Sequence, residues 1–369
     1  MVNGKMRVFK RLLTIVICVL TVAGALCSCD SSFGEVRVPD GSELEVHFID
    51  VGQADAALVL CDGKAMMIDG GNVDDSSLVY SYLRKLGVTH LDYVVGTHGH
   101  EDHIGGLAGA LNYATVGKVY CAAQSYNSSA FESFAKYVKK RGAVITVPKV
   151  GEKFSLGSAA VEIIACNAAK EDENDTSIVL RIVYGSTSFL FTGDAERPAE
   201  QVILASGKNI KSTVLKVGHH GSSSSTTYPF LREIMPEYAV ISVGKNNDYG
   251  HPTEEVLSRL RDADVTVYRT DLNGTVICTS DGSKVSFSVS KGSAENNGGL
   301  QNTEAAESTA SAKITYVLNT SSRKYHLPEC SGAKNMSEKN KSYYYGESEQ
   351  GAKDDLYQKG YTPCGTCKP

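Results

Sequence analysis

The sequence predicts an α/β layered domain of roughly 250 residues, then a flexible linker and a small metal-stapled module. Three observations predict this order. From about residue 43 to about residue 289, short apolar runs bounded by turns alternate with helix-periodic stretches. Residues 291–312, "KGSAENNGGLQNTEAAESTASA", carry almost no large apolar side chain, which is the composition of a linker. Residues 313–369 are too few for a large core, yet they hold one histidine and three cysteines at metal-ligand spacing.

The amino terminus stands apart from the folded body. "MVNGKMRVFKR" places Lys5, Arg7, Lys10 and Arg11 ahead of the apolar run "LLTIVICVLTVAGAL". A cationic start, a short apolar run and small residues describe an export signal over residues 1–29. "LCSCD" resembles a bacterial lipobox, which implies cleavage before Cys29 and lipid modification of that cysteine. The run is shorter than the ~20 residues of a spanning helix, so an uncleaved anchor is the alternative. Either way the body is expected outside the cytoplasmic membrane, anchored or secreted. The net charge of −5 gives no global attraction to nucleic acid, so any polyanion must be bound locally.

Within the main domain "LEVHFIDVG", "AALVLCDG" and "KAMMIDGG" read as strands, and "SLVYSYLRKLG" as a helix capped by Gly87. "LDYVVGTH" is a buried strand. A helix over 129–141, strands at 143–147 and 160–165, and a hairpin turning at Gly185–Ser186 follow. After Asp194 come a helix, the strand "STVLKVG", a helix, the strand "EYAVISVG", the helix "TEEVLSRLRDA" and terminal strands. Cys61, Cys121, Cys166 and Cys278 lie singly in apolar contexts and read as small buried hydrophobes, with disulfides among them open.

Of nine histidines in the chain, three fall within "THGHEDHIGG", residues 97–106. In an extended segment His98 and His100 point the same way, while Asp102 and His103 aim at a neighbouring point. That suits two metal ions held at a strand end, where rigid scaffolds present chemistry. Asp194 closes the apolar strand "FLFTGD", and a bare carboxylate there needs a strong partner.

"THGHEDHIGG" matches the H-x-H-x-D-H signature of the metallo-β-lactamase superfamily. With "HFIDVGQADAALV", "MMIDGG", "FTGD", "LKVGHHGSSSS" and "YGHP", residues 43–290 resemble its ComEC/Rec2-like branch, the hydrolase domain of DNA-uptake proteins. The resemblance implies an αββα sandwich with a metal site at one sheet edge. It implies His98, His100, Asp102 and His103 as ligands, Asp194 as the bridge between two metals and His251 as the last histidine ligand. Asp50 would accept a hydrogen bond behind the histidine loop. The chain departs from many members in lacking any histidine from 104 to 218. "ENDTS" stands there, making Asn174 or Asp175 a candidate neighbour. Two adjacent histidines cannot both face one metal without a twist, so His220 could fill the gap, contact phosphate or act as a general acid, with His219 structural or an additional residue of the site. "GSSSSTT" offers hydroxyls and a helix start for an anionic group, or is a plain loop.

Two divalent ions, zinc or manganese, would lower the pKa of a shared water, with Asp194 orienting it and Asp102 and His220 beside it. "HHGSSSS" is not a nucleophile elbow. A negatively charged ester suits such a site, hence phosphodiester hydrolysis, with DNA as substrate and a DNA-uptake channel protein as a further partner. The rivals are hydrolysis of a cell-envelope phosphoester such as a choline phosphate ester, and DNA capture by a weakly catalytic scaffold.

In the tail, "YHLPEC" and "YTPCGTCKP" supply His326, Cys330, Cys364 and Cys367, a closed tetrahedral set for one structural zinc. A Cys364–Cys367 disulfide is the alternative. The segment resembles the zinc module of Ada-type DNA-repair proteins, in which a cysteine at the position of His326 accepts a methyl group, so that activity is not expected here. Nine Lys/Arg against six Asp/Glu over 313–369, with "KNKSYYY", suit phosphate contact and stacking, or a plain solvated surface.

Overall fold

The computed structural model describes residues 41–170, 172–292, 314–328 and 330–346, with 353, 356 and 359–367. The export segment with Cys29, and linker residues 293–312, lie outside the described residues. The chain divides into two compact units, with the boundary between Gln301 and Asn302.

The larger unit is built on two sheets. Its strands are β1 (Leu44–Phe48), β2 (Ala56–Cys61), β3 (Lys64–Gly70), β4 (His90–Gly96), β5 (Thr115–Cys121), β6 (Ile145–Thr146), β7 (Lys153–Leu156) and β8 (Ala159–Ala165). They continue with β9 (Val179–Tyr184), β10 (Thr187–Phe191), β11 (Val214–Lys216), β12 (Tyr238–Ile241), β13 (Thr266–Arg269), β14 (Val276–Ser280) and β15 (Val285–Val289). One sheet runs β15-β14-β1-β2-β3-β4-β5-β6 and the other β13-β12-β11-β10-β9-β8-β7. Each sheet begins as an antiparallel meander and turns parallel, at β3–β4 in the first and β10–β11 in the second.

Side-chain alternation divides the core into layers. Ala57, Val59, Phe48, Leu180, Phe189 and Phe191 meet between the sheets. On the outer face of the first sheet, Leu58 and Met67 pack with Val79, Leu83, Leu111 and Phe134 from the helices Ser76–Leu86, Leu107–Tyr113 and Ser129–Lys140. On the outer face of the second, Leu190 and Leu215 pack with Ile203, Phe230 and Leu260 from Arg197–Ala205, Tyr228–Ile234 and Glu254–Asp262. The result is the αββα sandwich. Gly87 caps its helix with φ 70°, and the Gly185 turn joins β9 to β10. The strand expected over 143–147 shortens to Ile145–Thr146, an edge strand whose flanking Val144 is 75% exposed.

All four lone cysteines of this unit are free, and Cys61, Cys121 and Cys278 are buried. Among the smaller unit's described residues, β16 (Ile314–Asn319), β17 (Lys324–His326), β18 (Lys341–Gly346) and β19 (Thr362–Pro363) form a sheet in the order β18-β16-β17-β19. One cluster joins Tyr316, Leu318, Tyr325, Leu356 and Tyr361, and another joins Val317, Ala333 and Met336 with Cys330 and Cys364.

Candidate metal centre

The polar residues of the larger unit gather where parallel strands end. Asp69 closes β3, the histidine loop follows β4, Asp194 follows β10, His219 and His220 follow β11, and Ser242 follows β12. In open α/β sheets the crevice beyond the strands' carboxyl ends is where ligands bind. Two glycines permit the close approach. A Cβ on Gly106 would lie 1.9 Å from the Gly70 carbonyl oxygen, and Gly193 has φ 53° with Ser177 and Thr97 against it. Gly193 thereby turns the chain so that the Asp194 amide donates to Ser177 Oγ at 3.1 Å.

Ligand atoms of Asp102, His103, Asp194 and His220 all lie within 4.8 Å of one another. His103 Nε2 is 3.2 Å from Asp194 Oδ2, and His220 Nε2 is 3.2 Å from Asp102 Oδ2 and 3.6 Å from Asp194 Oδ2. His98 and His100 sit beside them, with His98 Nε2 3.0 Å from His100 Nδ1 and ring centroids of His98 and His103 4.1 Å apart. A cavity of about 350 Å³ opens over the group, lined among others by His100, Asp102, Asn174, Asp194, His219 and His251.

The expected twist at the histidine pair is present. His219 and His220 both adopt left-handed backbone, with φ 48° and 52°. With that backbone His219 Nε2 comes to 3.7 Å and His220 Nε2 to 3.6 Å from Asp194 Oδ2. Of the two readings left open for His219, structural or part of the site, the structure places it at the cavity, oriented by Glu196 Oε1 at 2.9 Å from its Nδ1. His251 also lines the cavity, its ring centroid 5.6 Å from that of His219.

Asn174 reaches the cavity, but Asp175 does not. Asp175 accepts from the amides of Glu196 and Ala199, holding the start of the Arg197–Ala205 helix. Asp50 is also corrected. Its carboxylate pairs with Lys291 Nζ at 2.7 Å and does not support the histidine loop. That task falls to Asp69, which accepts from the Thr97 amide and hydroxyl, both at 2.7 Å, and stands 2.9 Å from His103 Nδ1. The serine run is committed internally. Ser224 donates to Glu196, Ser225 to the Gly218 carbonyl, and Thr227 to Glu200, so these hydroxyls make a braced loop rather than an anion cradle.

Sequence reading missed Asp69, Asp55, Glu196 and Lys216. Asp69 carried the same signal as Asp194, a carboxylate closing an apolar strand. Lys216 is a lysine inside a buried strand, 4% exposed, and it pairs with Asp55 Oδ2 at 2.7 Å. Asp55 Oδ1 in turn lies 3.2 Å from His220 Nδ1, which also meets the Ser242 carbonyl at 3.0 Å.

Electrostatics follow from this crowding. Burial opposes charge on His103, but Asp194, Asp69 and Asp102 outweigh it and hold its pKa well above the ordinary histidine value. His220 is likewise lifted against burial by Asp194 and Asp55, to about 10. Burial and the neighbouring His103 charge push His98 well down. Burial, with His219 and His220 nearby, lowers His251 to about 4. Among the described residues, the side-chain atoms buried without a hydrogen-bond partner include His103 Nε2, Asn174 Oδ1, Asp194 Oδ1 and His251 Nδ1, with Asp55 Oδ1 behind them. Unpartnered nitrogen and oxygen atoms crowded with carboxylates at one cavity fit divalent cations, which supply what the protein does not.

In the smaller unit, ligand atoms of His326, Cys330, Cys364 and Cys367 lie within 4.8 Å of one another, and Cys330 Sγ is 3.6 Å from His326 Nδ1. Cys364 and Cys367 are free thiols, not the alternative disulfide. The donor set fits a closed thiolate–imidazole metal site.

Three curated relatives are similar to this chain over about two thirds of its length. ComE operon protein 3 of Bacillus subtilis is 32% identical over 70% of this chain and 36% of its own length. Competence protein ComA of Neisseria gonorrhoeae is 32% identical over 66% of this chain and 33% of its own. Recombination protein 2 of Haemophilus influenzae is 28% identical over 63% of this chain and 28% of its own. The chain therefore spans about a third of the length of these relatives. The profile of the Metallo-beta-lactamase superfamily matches residues 49–245, more than half of the chain and every candidate donor of the larger unit except His251. The chain belongs to the metallo-beta-lactamase superfamily.

Proposed function

We propose that the chain is an exported, membrane-anchored hydrolase that cleaves phosphodiester bonds of DNA with two divalent ions, zinc or manganese, as part of DNA uptake. The observation that carries this reading is the convergence of Asp102, His103, Asp194 and His220 beneath an open cavity with unpartnered donor atoms. Names of the relatives, which carry competence and recombination, support nucleic acid as the substrate class and a channel protein as a partner. The lipobox-like "LCSCD" supports lipid attachment at Cys29.

His98, His100, Asp102, His103, Asp194, His220 and His251 would hold the ions, with His219 and Asn174 beside them. Bound there, the ions supply Lewis-acid activation of water and of a phosphoryl oxygen. The chain's own residues set the geometry. Asp69 pins His103 through Nδ1, and the Ser242 carbonyl pins His220 through Nδ1, so both present Nε2 toward Asp194. Asp194 Oδ1 is free to accept a hydrogen bond from the attacking water and so to aim it. A neutral His251 keeps its lone pair at neutral pH. In the smaller unit one zinc held by His326, Cys330, Cys364 and Cys367 would act as a staple, in a module of Ada-like type with no methyl-accepting cysteine.

The test uses the protein as it exists, chelated and then reconstituted with Zn²⁺ or Mn²⁺. It is offered single-stranded and duplex DNA, a generic aryl phosphodiester and an aryl ester of phosphocholine. Metal-dependent cleavage of DNA is expected. Cleavage of the phosphocholine ester alone would assign the site to envelope chemistry, and retention of DNA without cleavage of any ester would make the chain a capture protein.

A further inference from the structure

At the mouth of the cavity stands Tyr249, 72% exposed. The other exposed tyrosine of the larger unit's described residues is Tyr228, at 45%, and its ring is occupied otherwise. Tyr228 donates to Asp262 and lies 6.0 Å from the Arg259 guanidinium. Tyr249 meets one ring, that of His251, at 5.8 Å between centroids and 25° between planes. Most of its surface remains in water beside a polar, metal-type site.

The loop that carries Tyr249 is rigidly pinned. Asn247 Oδ1 accepts from the amides of Tyr249 at 3.1 Å and His251 at 3.0 Å, while its Nδ2 donates to the carbonyls of Gly244 and His251. Gln53 Oε1 accepts from the Gly244 amide at 3.0 Å, tying the loop across to the segment between β1 and β2. A large aromatic ring held out in solvent by four loop hydrogen bonds is pre-organised for a flat partner. Such a ring stacks on any base whose face is bare, and bases inside a duplex have both faces covered.

We propose that Tyr249 is the stacking surface for an unpaired base next to the scissile phosphodiester, so that the site takes single-stranded rather than duplex nucleic acid. The inference rests on the nucleic-acid reading above and adds the strand form it accepts. Tyr249 binds and orients; the donors beneath it do the chemistry.

The chain contains no tryptophan, so Tyr249→Trp installs a single indole reporter that retains stacking. Its emission should be quenched by a single-stranded oligonucleotide and unaffected by the blunt duplex of the same sequence. Tyr249→Ala should raise the KM for the single strand by about tenfold or more, with kcat moving less, and Tyr249→Phe should restore the wild-type KM. An oligonucleotide lacking the base beside the cleaved bond should give the wild-type protein the KM of Tyr249→Ala, without any mutation. Equal KM for intact and abasic strands overturns the proposal, as does quenching by a phosphocholine ester but not by DNA, which would assign the ring to a quaternary ammonium. Quenching by single strands with no cleavage of DNA removes the nuclease reading and keeps the stacking surface. Cleavage of single strand and duplex alike, unmoved by Tyr249→Ala, removes only the stacking surface.

Discussion

In residues 41–292 the candidate donors are oxygens and nitrogens brought from the ends of β4, β10, β11 and β12, with Asp69, Glu196 and Ser242 orienting the imidazoles from behind. In residues 314–367 they are three thiols and one imidazole carried by short segments around a four-stranded sheet. The first group opens on a cavity of about 350 Å³ and sits on three layers of apolar core. The second packs its thiols directly against Val317, Ala333 and Met336, so donors and core are the same residues. An open donor set on an independent scaffold is suited to chemistry, and a closed set inside a tiny core is suited to holding that core together.

The sharpest way to break this comparison is to delete a thiol. Metal binding in such small modules is worth roughly 10 kcal/mol of folding free energy. Cys364→Ser in the full chain should therefore release one zinc and leave residues 314–367 open to proteolysis, while the larger unit keeps its melting temperature. A smaller unit that stays protected without metal would show that its two apolar clusters suffice.

The opposite outcome is expected at Asp194. Asp194→Asn keeps the shape and removes a charge, so the larger unit should fold normally. Hydrolysis should fall by about a thousandfold, as removal of a preorganised electrostatic group does. Melting curves and kcat/KM on one aryl phosphodiester separate the two effects. A variant within tenfold of wild type would move the chemistry elsewhere.

Asp69 tests whether the scaffold behind the donors matters. Its carboxylate is buried, 1% exposed, and fixes both Thr97 and His103. Asp69→Asn should weaken metal binding by about 10–100-fold, the usual cost of losing a partner of this kind, in competition with a chelating dye. This residue also shows where sequence reading stops. The strands, the helix caps and the H-x-H-x-D-H loop were legible because periodicity and local spacing encode them. Asp55 and Lys216 were not, because their meaning lies in a contact between the two sheets, and the role of Asp69 lies in its contact with the loop after the neighbouring strand. The left-handed pair at His219 and His220 was legible as a requirement, since one metal cannot face both rings otherwise, but not as a fact.

Proton release gives a gentler measure of the same crowding. In the metal-free chain His103 and His220 are held protonated by Asp194 and its neighbours, against burial, with His220 at about 10. A cation must displace those protons to reach Nε2. Below that value affinity should rise with pH, by about tenfold per unit for each proton released, and calorimetry in two buffers of different ionisation enthalpy should count them. In the smaller unit the protons released on metal binding should come from thiols instead, so a variant lacking residues 313–369 isolates the histidine contribution.

The smallest expected effect is at Asp50, and it is informative for being small. Asp50 and Asp69 both close strands of the first sheet, and Asp50 was the residue the sequence favoured. Its carboxylate instead meets Lys291 Nζ, a lysine side chain that is 62% exposed. Ion pairs in such surroundings contribute roughly 0–1 kcal/mol, because water screens them and two side chains must be ordered. Asp50→Asn should therefore leave metal affinity within about twofold and shift stability by less than about 1 kcal/mol, read by the same dye competition and melting curve as Asp69→Asn. A loss as large as that of Asp69→Asn would mean that the loop after β1 supports the donors after all, and that depth behind the histidines is not what distinguishes the two carboxylates.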